Sequence, residues 1–268
     1  MTLASTALVA AASGPPQPGP GSFLLPPVFT IGGWEVNKPE LMLAISAVLV
    51  FAFAYATSRR AAVVPGRLQF AGELVYGFIR NGIARDNIGG HDYMKYVPYL
   101  FTVFLFVLIN NFYGVIPFIQ FPSMSKFAFP VALAFVTWLI YNVAGVMKHG
   151  LFGYLKHQTV PAGAQGPILF ALVPLEFLSN IIVRPFTLAL RLFATMFAGH
   201  LLILLFSLGA AYLVSDYANS VVGIPAGILS FVLGIGVSFL DMLIMFLQAY
   251  VFTLLTAMYI GGAIADEH

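Results

Sequence analysis

Residues 168–214 read ILFALVPLEFLSNIIVRPFTLALRLFATMFAGHLLILLFSLGAAYLV, and this stretch decides the fold. It runs 47 residues with Glu176, Arg184 and Arg191 as its formal charges. A hydrocarbon core of about 30 Å needs about 20 apolar residues in a helix. The run is therefore either a broken helix or a strongly tilted one. Residues 221–265 have the same character, with Asp241 as the charge inside them. Pro174, Pro185 and Pro225 are the expected kinks.

Working outward, three shorter apolar segments also fit a span: residues 41–58, 96–121 and 127–147. Between the first two, residues 67–87 differ. Leu68, Ala71, Leu74, Val75, Phe78 and Ile79 recur at helical spacing, with Arg67, Glu73, Arg80 and Arg85 interspersed. That pattern predicts an amphipathic helix on the membrane surface, too polar to span. The expected fold is an all-α integral membrane protein. It has five transmembrane helices (41–58, 96–121, 127–147, 168–214, 221–265) and one surface helix, the last two spans long and strongly tilted. Residues 1–36 are expected to be a disordered or extracytoplasmic segment. Residues 37–268 are expected to form a single helical membrane domain.

Composition supports the class. Of 268 residues, 60% are hydrophobic and 8% charged, and the mean hydropathy is +0.94. A soluble domain usually carries about 25% charged residues, so soluble enzymes, nucleic-acid binders and disordered proteins are excluded. The absence of cysteine excludes disulfides and thiolate chemistry. No His/Glu ligand spacing suggests a metal, no Gly-rich phosphate loop suggests a nucleotide, and no cofactor is expected. The first 20 residues lack a basic n-region, so a tail is favoured over a cleaved leader.

Topology follows from Lys and Arg. Arg59, Arg60, Arg67, Arg80, Arg85, Lys95, Lys148 and Lys156 fall on one side of the five spans, and Lys38 and Lys126 on the other. The positive-inside rule makes the first side cytoplasmic. The N-terminus is then outside and the C-terminus inside.

The charges within the spans carry the chemistry. A charge at membrane depth costs at least about 2.5–3.5 kcal/mol. Asn180, Arg184, Thr187, Arg191 and Thr195 follow spacings of 4, 3, 4 and 4, which place them on one face of a helix. Glu176, His200, Asp241 and Gln248 add further polar positions. His200 lies about 13 Å along the axis from Arg191, on roughly the opposite face. Asp241 and Gln248 are two helical turns apart and share a face. Histidine and carboxylates exchange protons, whereas arginine stays charged and acts as a fixed electrostatic element. This is the composition of a proton pathway. The bland alternatives are an interfacial anchor for Arg184 and structural hydrogen bonds for His200, Asp241 and Gln248. His91, His149 and His157 are expected in solvated loops.

The run Arg184-Pro185-Phe186-Thr187-Leu188-Ala189-Leu190-Arg191-Leu192-Phe193-Ala194-Thr195-Met196-Phe197-Ala198-Gly199-His200 resembles the signature of subunit a of the bacterial rotary F-type ATP synthase. Leu247-Gln248-Ala249-Tyr250-Val251-Phe252 and Asn110-Asn111-Phe112-Tyr113-Gly114-Val115-Ile116-Pro117 extend the likeness, which covers roughly residues 35–268. The resemblance implies a non-catalytic, proton-translocating stator subunit in the cell membrane. Its partners would be the c-ring, the peripheral-stalk b subunits and the rest of the complex. Arg191 falls at the family's essential arginine, which faces the ring carboxylate and separates two offset half-channels, and Gln248 at the glutamine opposite it. His200 and Asp241 align with the paired polar positions of the outer half-channel. Glu176 resembles the acid of the cytoplasmic half-channel, one residue further from Arg184-Pro185 than the common pattern. Thr195 stands where most members have Asn. Two other classes compete: a stand-alone channel or transporter, which predicts a repeat or gate that the sequence lacks, and a purely structural membrane subunit.

Overall fold

The computed structural model describes residues 29–31, 34–59, 66–89, 92–116, 123–159, 169–215 and 222–265. Residues 1–28, Arg60, His91, Pro117 and the C-terminal Asp266-Glu267-His268, with what was expected of them, lie outside the described residues. Five helices among those described are long and apolar enough to cross a membrane, as the sequence predicts.

The chain enters through a short antiparallel pair, β1 (Phe29–Ile31) and β2 (Trp34–Val36), with Thr30 opposite Glu35. This pair was not foreseen and leaves the all-α class intact. Helix α1 (Lys38–Ser58) starts where Glu40 accepts the Asn37 backbone N–H at 3.3 Å, with Pro39 in the first turn, where its missing N–H costs nothing.

The expected surface helix is α2 (Arg67–Ile79), continued by a π turn (Arg80–Ala84) and by α3 (Arg85–Ile88). It docks through Gly72 and only part of its apolar stripe. Gly72 lies so close to Thr57 of α1 that a Cβ would collide with that side chain, and Ile79, Ile83 and Ala84 are buried. Leu68, Leu74 and Phe78 stay exposed. An apolar stripe left open beside spanning helices suits a lipid surface.

Helix α4 (Tyr93–Phe112) is the central span, burying Val97, Leu100, Val103, Phe104 and Val107. It stops at Phe112 instead of reaching residue 121, because Gly114 and Pro117 follow and the residues before a proline resist helical geometry. Helix α5 (Ala128–Thr159) runs further than the expected 127–147. At Gly150 the backbone turns to φ 71° and ψ 165°, a conformation that glycine adopts freely. Past this break the helical segment resumes, and Tyr154 lies on Gly145, where a Cβ would overlap its ring. His149 and His157 therefore lie within this helical stretch, not in an open loop.

Helix α6 (Leu169–Phe177) passes through a π turn (Leu178–Val183) into α7 (Arg184–Ser215). Pro174 lies inside α6, and Pro185 follows the π turn directly. Helix α8 (Gly223–Ile264) has Pro225 in its first turn, where proline is tolerated, so the expected kink there is absent. Its 42 residues rise about 63 Å, roughly twice the hydrocarbon core.

The described residues cluster into two compact units. One contains Ala198–Leu243, the other Pro26–Phe197 with Ile244–His268. The second holds the main core: Val50 of α1, Ile79 and Ile83, the buried face of α4, Leu188, Leu192 and Met196 of α7, and Met245, Ala249 and Phe252 of α8. Near its C-terminus α8 crosses α3 so closely that a Cβ on Gly261 would strike the Asn87 backbone carbonyl, whereas Gly262 has nothing within 4 Å. A backbone oxygen cannot rotate away. Gly261→Ala is therefore expected to destabilise the protein by about 1–3 kcal/mol, with Gly262→Ala near neutral. Thermal unfolding in detergent checks this, and equal melting temperatures for the two variants would contradict the contact.

Candidate functional site

In the unit Ala198–Leu243, α7 and α8 each contribute one ionisable residue. His200 and Asp241 are both buried, 7% and 3% exposed. The Asp241 carboxylate lies against Gly199, where a Cβ would collide with it. The absent side chain at 199 therefore makes room for the acid. Neither Asp241 oxygen takes a hydrogen bond among the described residues. Ser230 of α8 donates to the Phe206 carbonyl of α7 at 3.2 Å, a polar link between the two helices of this unit.

In the other unit, the face that α7 buries is set by Leu188, Leu192 and Met196 at spacings of four. Arg191 and Thr187 lie on the exposed face, with the small Ala194 also open beside them. No ion pair among the described residues engages Arg191. Thr195 is half-buried and returns its hydroxyl to the Arg191 carbonyl at 2.9 Å. On α8 the buried face runs through Met245, Gln248, Ala249 and Phe252. Gln248 is thus a core position, and its Nε2 has no hydrogen-bond partner among the described residues.

Asn180 departs from the single stripe that the sequence spacing predicts. It is buried while Thr187 and Arg191 are exposed. The cause is the π turn, in which the Arg184 N–H reaches five residues back to the Ser179 carbonyl. A wider turn rotates the chain less per residue, so Asn180 falls off the face that uniform helical spacing assigns it. Its Nδ2 donates to the Gln158 carbonyl at 2.7 Å and to Glu176 Oε2 at 3.2 Å. The guanidinium of Arg184 lies over the Tyr259 ring, 5.4 Å from its centroid, which supplies a partner for the cation inside the protein.

Glu176 and Asn180 therefore meet directly, and Arg184 stacks on the end of α8. Around them lie residues that sequence reasoning missed. Tyr154 donates to Asn142 Oδ1 at 2.9 Å, Gln158 donates to the Tyr154 hydroxyl at 3.1 Å, and Tyr141 and Trp138 donate to the carbonyls of Asn180 and Ile181. The available signal was a set of aromatic side chains with polar tips inside an apolar segment, followed by Gly150. The Asn110-Asn111 pair at the end of α4 is also placed: Asn111 Nδ2 reaches the Met245 carbonyl of α8 at 3.3 Å.

Chemically, one unit holds a buried acid and a buried histidine, and the other an open arginine on an apolar helix. The family model described as "ATP synthase A chain" matches residues 40–261. A protein named ATP synthase subunit a from a Nocardioides species is 53% identical over 278 aligned residues, 99% of each chain. Proteins of the same name from Pseudarthrobacter chlorophenolicus and Streptomyces lividans are 46% and 39% identical, over 94% of this chain and 94% and 89% of theirs. With a family match across most of its length and relatives that align end to end, this chain belongs to the ATP synthase A chain family.

Proposed function

We propose that this protein is the proton-translocating stator subunit of a bacterial F-type ATP synthase, working against the ring of c subunits. It carries no catalysis itself; the ATP chemistry belongs to other subunits. Protons reach and leave the ring through two offset half-channels, one opening to each side of the membrane. His200 and Asp241 belong to the outer path, and Glu176 with Asn180 to the cytoplasmic one. Arg191 stands between them. Its charge favours the ionised ring carboxylate and repels a proton attempting to pass directly. Gln248 lines the same region from α8. The protein lies in the plasma membrane with its N-terminus outside and its C-terminus in the cytoplasm, held by the peripheral-stalk b subunits.

The observation that carries this function is the state of Arg191. A cation on an open, apolar helix face, with no ion pair among the described residues, needs an anion from outside the chain. Small and hydroxyl-bearing neighbours, Ala194 and Thr187, leave room for a carboxylate on an approaching helix. A carboxylate on a rotating partner meets both requirements.

Arg191→Ala in the complete complex is expected to assemble normally and to lose ATP-driven proton pumping in inverted membrane vesicles by more than about tenfold, the factor that corresponds to about 1.4 kcal/mol. Normal pumping by that variant would remove the proposal's centre. Gly199→Ala drives a methyl into the Asp241 carboxylate. It is expected to cut pumping about tenfold, an overpacking cost of about 1–3 kcal/mol. Gly236→Ala, with nothing near its Cβ, is expected to leave pumping unchanged. His200→Ala and Asp241→Ala are expected to be strongly non-additive when combined; additive losses would mean that the two do not act together.

A further inference from the structure

The π turn before Arg184 leaves a gap in its hydrogen-bond ladder that can be counted. At the upstream end the Arg184 N–H bonds to the Ser179 carbonyl, five residues back. At the downstream end α7 begins its ordinary register at Arg184. The carbonyl just before a helix accepts its first intrahelical bond, so the Thr187 N–H serves Val183. Between these two points three carbonyls remain, those of Asn180, Ile181 and Ile182. Two residues could serve them, and one of these is Pro185, which has no N–H. Phe186 alone is left, and it can satisfy one carbonyl fully. Two carbonyls need donors from elsewhere, inside a span where lipid offers none.

Helix α5 supplies two donors. Tyr141 donates its hydroxyl to the Asn180 carbonyl at 3.1 Å, and Trp138 donates its indole N–H to the Ile181 carbonyl at 3.0 Å. The two residues are three apart and so lie on one face of α5. The Tyr141 side chain is 2% exposed and packs against Tyr259, with ring centroids 5.8 Å apart. Each donor meets one of the three carbonyls for which the backbone offers a single amide.

We propose that Trp138 and Tyr141 are positioning residues, which take the two carbonyls abandoned before Pro185 and so hold open the wide turn that aims Glu176 and Asn180. If the turn closed to ordinary helical register, everything upstream of it would rotate by about 100° relative to Arg184 and Arg191. Asn180 would then leave the Gln158 carbonyl and Glu176 that it now joins. Trp138 and Tyr141 matter to proton transfer because the path proposed above runs past Glu176, and to that extent they rest on it.

Restoring the missing amide tests the assignment. Trp138→Phe and Tyr141→Phe keep a ring and remove the donor. Each is expected to lower ATP-driven proton pumping, per assembled complex in inverted vesicles, by about fivefold, in keeping with a buried carbonyl left unsatisfied. Pro185→Ala returns a backbone N–H at the point of shortage. In that background the penalty of at least one Phe substitution is expected to fall to about twofold or less. A structural role based on ring packing alone predicts no such relief, and unchanged penalties for both Phe substitutions would overturn the proposal. Where a Phe variant fails to assemble, the quantity of assembled complex becomes the readout. Pro185→Ala must then raise it, and failure to do so overturns the proposal equally. That second readout does not depend on proton flow, so it separates a failure here from a failure of the proton path, which Arg191→Ala reports.

Discussion

A chain with 8% charged residues folds in a solvent that donates and accepts no hydrogen bonds. A polar atom inside the spans gains by closing within the protein, and many close on their own helix. Ser46 donates to Met42, Thr137 to Leu133, Thr195 to Arg191, Thr253 to Ala249 and Thr256 to Phe252, each to the carbonyl four residues back. Asn110 and Asn142 do the same with their amides. Two of these hydroxyls also reach a neighbour, Thr137 to Tyr99 and Ser46 to Tyr113, and the rest hide polarity within their own helix. Others reach across between helices, among them Asn111 to Met245, Ser230 to Phe206, and Trp138 and Tyr141 to the π turn. At the π turn, polar contact between helices falls where the helix does not close its own ladder.

The same constraint governs the cations. Lys148 donates to the Ile264 carbonyl at 2.7 Å, placing positive charge on the last turn of α8, where unsatisfied carbonyls favour it. Arg184 spreads its charge over Tyr259. Arg59 lies over Tyr55, 5.4 Å from the ring centroid. Each of these cations finds its partner inside the chain. Arg191 differs because its α7 face is open and its nearest small neighbours offer no anion. The contrast makes an external carboxylate the economical account of that residue.

Which parts were legible in the sequence follows from what each part depends on. Apolar runs set the spans, so 41–58, 67–87 and 221–265 lie within three residues of the observed elements. Helix ends set by chain direction were less legible. The second span stops at Phe112, ahead of Gly114, and the third continues past Gly150 because Tyr154 can return to Asn142 and Gly145. Both depend on a neighbour that is distant in sequence or on a single backbone angle. At the site, Arg191, His200 and Asp241 stand out in the sequence as ionisable residues within apolar runs, and the burial of His200 and Asp241 follows from the two long helices that carry them. Gly199 does not stand out, since its part is to be absent where Asp241 packs. The spacing argument failed at Asn180 because it assumed a uniform turn, and the turn widens there.

That widening also accounts for the position of Glu176. In an unbroken α-helix, eight residues rotate the chain by about 800°, which would leave Glu176 some 80° from Arg184. A π turn absorbs one residue without advancing the helical register. The effective spacing becomes seven, or about 700°, which brings Glu176 to within about 20° of the Arg184 direction. Both side chains are half-buried, as residues on a common face would be. Glu176 stands one residue further from Arg184-Pro185 than the pattern it resembles, and the π turn lies between the two. The wide turn, more than the residue count, therefore sets the direction of Glu176 relative to Arg184.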